Sequence, residues 1–150
     1  MVLDDTDKKI INMLLQSGRV SYTDIARAVN MKPPSVIDRI RKLEGDGIIK
    51  GYTATIDYQK LGYGVTAYIG ISLESTEHMT TVDALIRNAD DALISCCHVA
   101  GDFTLIAKVV TETTDSLAHI VKNLRAIQGV TKTNTILIFS TLMDRPRVLD

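Results

Sequence analysis

Between Lys32 and Lys50 the chain sets out side chains suited to chemistry with a polyanion. Lys32 precedes Pro33-Pro34, and then Ser35, Asp38, Arg39, Arg41 and Lys42 interleave with the apolar Val36, Ile40 and Leu43. Small polar groups and arginine can hydrogen-bond base edges in a DNA groove, while lysine and arginine neutralise phosphates. Such a row along one helix therefore fits double-stranded DNA. Any solvated helix also carries Arg and Lys at such positions, so the charges by themselves decide little. Their setting decides more.

At about 100° per residue, Val36, Ile40 and Leu43 fall on one side of a helix. Ser35, Asp38, Arg41 and Lys42 point the other way, with Arg39 at the border. Pro33 and Pro34 suit a first helical turn, where no amide donor is needed, so this helix begins at about Pro33. A shorter helix comes before it. Ser21 followed by Asp24 offers reciprocal capping, and Tyr22, Ile25, Ala26 and Val29 recur on one face, until Asn30-Met31-Lys32 breaks the pattern. Upstream, Ile10, Ile11, Leu14 and Leu15 form a stripe on a helix opened by Asp4 or Asp5 and closed near Gly18. Downstream, Gly45 and Gly47 end the cationic helix, Ile48 to Tyr52 starts a strand, and Thr53 to Asp57 alternates before a polar turn. Three helices and a β-ribbon in that order make a winged helix-turn-helix, with Lys50 near the tip or base of the wing. The expected DNA-contacting set is Tyr22, Lys32, Ser35, Asp38, Arg39, Arg41, Lys42 and Lys50.

The second half changes period. Residues 58–64 carry two Gly and no strong periodicity, which places a hinge or linker there. Ala67, Ile69, Ile71 and Leu73 then alternate with polar or small residues as a two-faced strand. A helix carrying Val82, Leu85, Ile86 and Ala89 follows. Two strands, about Leu93 to Ala100 and Phe103 to Val110, are joined by a tight turn at Gly101-Asp102. Asp115 caps a helix with Leu117, Ile120, Val121, Leu124 and Ile127 inward, Gly129 stops it, and a last strand runs Val130 to Leu142. The order βαββαβ is that of a ferredoxin-like sandwich, a four-stranded antiparallel sheet with two helices on one face. The fold class is thus α+β, with residues 1–57 as the DNA-binding domain, 58–64 as the linker and 65–150 as the second domain. The other sheet face is left bare, and apolar residues on it predict pairing with a second copy of the chain.

With 150 residues, 45% of them hydrophobic, the chain can bury a core of one domain or two small ones. No run approaches the ~18 apolar residues of a membrane span, and the acidic start is unlike a secretory signal, so the cytoplasm is the expected location and no membrane partner is expected. Adjacent Cys96 and Cys97 are poorly placed to bridge each other, which agrees with a reducing compartment. In a strand Cys96 and His98 share a face while Cys97 points opposite, so the three do not converge on a metal. No nucleophile with an adjacent base and no phosphate-cradling loop is present; neither an enzyme nor a cofactor is expected. Residues 1–64 hold ten Lys/Arg against eight Asp/Glu, and residues 65–150 seven against ten. A head so weakly basic neutralises few phosphates, so binding is expected to require a dimer or larger assembly.

Helix-turn-helix, hinge and βαββαβ domain together resemble the Lrp/AsnC (feast/famine) family of transcriptional regulators across essentially the whole chain. The residues that carry the resemblance are Leu3-Asp4 with Asp7, Arg39-Ile40 with Leu43-Glu44, Gly47-Ile48-Ile49, Leu61-Gly62 and Gly101-Asp102. The resemblance implies that the second (RAM) domain dimerises through its sheet. It also implies that dimers assemble further, into a tetramer or octamer, and that a small effector, usually an amino acid, binds between dimers. Two positions depart from the family's pattern. Lys32 stands where the family often has Ser, exchanging a cap worth about 1 kcal/mol for a cation. Gly101-Asp102-Phe103-Thr104 stands where the family often reads Gly-Asp-aromatic-Asp, so the second carboxylate is missing.

A zwitterionic effector needs donors for its carboxylate and oxygens for its ammonium. Gly101, Asp102, Phe103 and Thr104 offer backbone amides, one carboxylate and one hydroxyl, and the resemblance places Thr133 and Thr135 of the last strand in the pocket wall. The expected function is a sequence-specific DNA-binding regulator tuned by a small molecule. A protein that organises DNA without a ligand is the alternative, followed by a small metabolic sensor or enzyme built on the second half.

Overall fold

A computed structural model describes residues 2–74 and 78–150, and its contacts divide the chain into two units: residues up to Ile56 together with Met143–Asp150, and Asp57–Leu142. In the first unit, α1 (Asp5–Gln16), α2 (Tyr22–Val29) and α3 (Pro33–Gly45) form the three-helix core. Ile10, Ile25, Ala26, Val36 and Ile40 are buried together at its centre, with Met13, Leu14 and Val29 packed against them. Burying each Ile or Val of this set contributes about 1.5–3 kcal/mol and Ala26 less, and it is this shared burial that holds the three short helices together.

The caps explain where the helices start. Asp4 accepts from the Asp7 amide at 2.7 Å while Asp7 accepts from the Asp4 amide at 3.3 Å, a reciprocal capping box at the head of α1. Ser21 accepts from the Asp24 amide at 3.0 Å, but the return bond expected from the Asp24 side chain is not made. Asn30, in the left-handed conformation, closes α2 and turns the chain toward α3. Lys32 stands at the N-cap of α3 with no side-chain capping bond.

The expected ribbon after α3 does not form as a strand. Residues 50–57 carry no ladder pairing, so the alternation from Thr53 to Asp57 finds no neighbouring strand within the described residues. Alternation gives a segment two faces; only a partner's amides and carbonyls make it β-structure. Tyr52 still holds this stretch to α3, donating its hydroxyl to Glu44 Oε1 at 2.8 Å. The tail Met143–Asp150 belongs to the same unit. Asn12 of α1 grips its main chain twice, donating from Nδ2 to the Leu149 carbonyl at 2.9 Å and accepting from the Leu149 amide at 2.8 Å.

The second unit opens with a short 3-10 turn, Gln59–Leu61, ended by Gly62. It continues as β1 (Val65–Leu73), α4 (His78–Arg87), β2 (Leu93–His98), β3 (Leu105–Thr111), α5 (Thr114–Arg125) and β4 (Val130–Ile138). The sheet order is β2-β3-β1-β4 and every pairing is antiparallel, the βαββαβ sandwich expected from the sequence. Ala67, Ile69 and Ile71 of β1, with Leu105, Ala107 and Val109 of β3, are buried beneath Leu85 of α4 and Leu117, Ile120 and Leu124 of α5. The cap of α5 is Thr113 rather than Asp115: Thr113 and Ser116 form a reciprocal box, with the Ser116 amide donating to Thr113 Oγ1 at 3.1 Å. The outer strands end earlier than alternation suggests, β2 at His98 and β4 at Ile138.

Candidate nucleic-acid interface and ligand turn

On α3 the stripe of Val36, Ile40 and Leu43 is buried, which turns Ser35, Asp38, Arg41 and Lys42 outward, all exposed. Lys32 is exposed just before the helix and Lys50 just after it. Tyr22, at the head of α2, is 49% exposed. Partial burial, then its bond to Glu44, pushes the Tyr52 phenol up to about 12.

Arg39 does not stand with the outward set. Its Nη1 donates to both oxygens of Asp4, at 3.0 and 2.8 Å, and to Asp7 Oδ1 at 2.8 Å. Hydrogen bonds from Arg39, then the Asp7 amide, hold the Asp4 carboxyl below its ordinary range, and the same carboxylates raise the guanidinium. The place of Arg39 at the edge of the apolar stripe was legible in the sequence. Its partners, 32 and 35 residues upstream, were not.

The turn expected to take a ligand is a loop from Val99 to Thr104, whose ends are joined by the Val99 amide donating to the Thr104 carbonyl at 3.0 Å. Gly101 has φ +148°, a conformation that few other residues hold without strain. Asp102 is exposed. The Phe103 ring lies over Gly70 of β1 so closely that a Cβ there would meet ring atoms at 2.6–2.7 Å. Thr104 accepts from the Leu73 amide at 3.2 Å through its hydroxyl, which ties the turn to the end of β1.

Thr133 and Thr135 do not join this turn. They pair with Ile71 and Ile69, core positions of β1, and so lie on the helix-covered side of the sheet. There Thr133 accepts from Arg125 Nε at 2.7 Å, and Thr135 borders a cleft of about 370 Å³ with Lys122 and Arg125. The residue that shares the open face with Gly70 and Phe103 is Asn134, opposite Gly70 in the ladder and absent from the expected set. Alternation along Thr133-Asn134-Thr135 signalled two faces without saying which one the helices cover. Tyr68 and Ile136, paired with each other, are also on the open face and partly exposed at 37% and 50%.

A three-helix head with an outward polar and cationic helix, in one chain with a sheet covered on one side only, is the arrangement of a helix-turn-helix DNA reader joined to a second α+β domain. Residues 3–50 match the family described as winged helix-turn-helix DNA-binding, and residues 66–148 match the Lrp/AsnC ligand binding domain. The chain belongs to the Lrp/AsnC family and is a DNA-binding transcriptional regulator of that type. An uncharacterized HTH-type transcriptional regulator of Pyrococcus furiosus is 35% identical over 136 residues, 90% of each chain. The solved structure of AsnC from E. coli superposes with a TM-score of 0.91 at 24% identity, covering 99% of this chain and 100% of that one. A Neisseria meningitidis transcriptional regulator, solved as a complex with L-methionine, gives a TM-score of 0.89 at 22% identity over 99% and 97% of the two chains.

Proposed function

We propose that this regulator is tuned by an amino-acid effector bound near the Gly101–Thr104 turn and works as a homodimer or a larger assembly of dimers. Residues 1–57 serve DNA, 58–64 the connection and 65–150 ligand and assembly, except that the tail Met143–Asp150 folds back onto the DNA-reading unit; the protein acts in the cytoplasm and without catalytic activity. Tyr22, Lys32, Ser35, Asp38, Arg41, Lys42 and Lys50 form the DNA face, of which Ser35 and Asp38 suit base edges and the cations suit phosphates.

The observation that carries the reading is the sheet face opposite α4 and α5. Tyr68 and Ile136 are exposed on it, and the Phe103 ring brings the ligand turn onto it at Gly70. An apolar sheet face of this kind is covered by a second copy in a closed two-fold pair. A ligand at the turn then acts on assembly, because it binds one arrangement better than another. The L-methionine bound by the Neisseria meningitidis protein supports an amino acid as the effector class.

A ligand-free, DNA-organising role is favoured by one observation: the Thr104 hydroxyl, where the family resemblance implies a carboxylate, already accepts from the Leu73 amide. One titration separates the two readings. Each common amino acid is added to the full chain while thermal stability and sedimentation are followed. A shift with at least one of them is expected, and no shift with any of them removes effector control.

A further inference from the structure

The Arg39 guanidinium closes onto the capping box that starts α1. One of its nitrogens meets three carboxylate oxygens within 3.0 Å, and the two carboxylates involved are the same ones that accept from the Asp4 and Asp7 amides at the head of the helix. Asp7 is buried to a side-chain exposure of 7%, Arg39 is about one-third exposed and Asp4 about half. The middle of α3 is thereby fastened to the first turn of α1, beside the apolar packing of Ile10 with Val36 and Ile40. Two carboxylates against one guanidinium leave the cluster with a net negative charge, which repels a phosphate brought to it.

We propose that Arg39 is a positioning residue for the reading helix: it sets the placement of α3 through Asp4 and Asp7 and does not touch DNA itself. The inference rests on α3 being the helix that reads DNA. It differs from phosphate binding in sign as well as size. An arginine that neutralises a phosphate, once changed to Gln, weakens all DNA alike and lowers the slope of log affinity against log salt by about 0.9. A misplaced reading helix fails to reach base edges, so it weakens the preferred sequence and leaves the salt slope alone. Asp7→Asn separates the two further. Removing a negative charge beside a DNA-binding arginine strengthens binding, whereas loosening a strut weakens it.

The experiment uses the full chain and two duplexes of equal length, one selected by the protein from a random pool and one unselected. Affinity is measured by fluorescence anisotropy across a salt series, at temperatures where circular dichroism shows each variant folded. Arg39→Gln is expected to weaken the selected duplex about tenfold, to leave the unselected duplex within about twofold, and to keep the salt slope. Asp7→Asn is expected to weaken the selected duplex in the same pattern. Asp4→Asn, at the half-exposed carboxylate, is the mild variant that reports if either of the others fails to fold. Equal weakening of both duplexes with a reduced slope overturns the proposal, as does tighter binding by Asp7→Asn or unchanged selected-duplex affinity in the folded variants. Arg41→Ala runs in parallel. If it leaves both duplexes unaffected, the reading face falls and the strut with it, whereas a weakened Arg41→Ala beside an unaffected Arg39→Gln removes the strut alone.

Discussion

Replacing Gly70 by alanine tests how the Gly101–Thr104 turn is seated on the sheet, through a single methyl group. The added Cβ stands 2.6 Å from Phe103 Cδ2 and 2.7 Å from Cε2 and Cγ, where ordinary contact begins near 3.4 Å, so ring and strand have to part by nearly an ångström. Gly70 pairs on both sides, with Ile106 of β3 and Asn134 of β4, and the strand therefore yields less easily than the ring. Overpacking of this kind costs about 1–3 kcal/mol. Phe103 is only partly buried and can tip toward solvent, exchanging overlap for reduced burial, which brings the expected cost to about 1–2 kcal/mol. For a domain of this size that corresponds to roughly 5–15 °C in Tm. The assay is a double-mutant cycle of wild type, Gly70→Ala, Phe103→Ala and the pair, followed by calorimetry and denaturant unfolding of the full chain. If the ring is the obstacle, Gly70→Ala costs little once Phe103 is alanine, and the coupling recovers most of the single-variant penalty. An equal penalty in both backgrounds would refute the reasoning and place the strain in the backbone.

Arg41→Ala, at an exposed position on α3, is expected to weaken DNA binding and lower the salt slope by about one while sedimentation stays unchanged. Asn12→Ala removes two hydrogen bonds to the Leu149 main chain, so hydrogen exchange at the Leu149 amide should quicken by about tenfold or less, and an unchanged rate would mean that other interactions hold the tail. For Asp4, a carboxyl held below its ordinary 3.8 contributes stability that is present above that value and is lost as pH falls through the lowered folded value. Unfolding of the first unit should therefore become easier as pH drops from about 5 toward 3, and Asp4→Asn should flatten that part of the profile. Ile136→Asp, on the open sheet face, should shift the sedimenting species toward monomer without unfolding the chain; a retained dimer would locate the pairing surface elsewhere.

Local chemistry made much of the fold legible. Pro33-Pro34 marked the start of α3 and the Ser21 hydroxyl that of α2, because a cap or a missing amide acts over three or four residues. At α5 the same chemistry misled, since Thr113, Asp115 and Ser116 are all capping types and only geometry selects Thr113. The strand expected after α3 depended on a hydrogen-bonding partner, which no alternating pattern supplies. Thr133 and Thr135, two positions apart on one strand, necessarily share a face. That it is the helix-covered face follows from their register against Ile71 and Ile69, a relation that spans more than sixty residues of sequence. Arg39 likewise needed Asp4 and Asp7 in view before its charge could be given a destination.

The tail clasp changes how the two halves are divided along the chain. Because Met143–Asp150 returns to the unit that begins with α1, residues 57–142 are an insertion within the DNA-reading unit rather than an appendage after it. A single nick within residues 50–57 leaves the three helices in contact with the rest of the chain through the tail, where Asn12 makes two hydrogen bonds to a peptide that runs back to β4. One cut there yields two peptides joined only through this non-covalent tail contact, and a second cut near residue 143 frees the insert from the unit altogether; gel filtration of a limited digest should show the singly nicked form still associated in the native protein and parted in the Asn12→Ala variant.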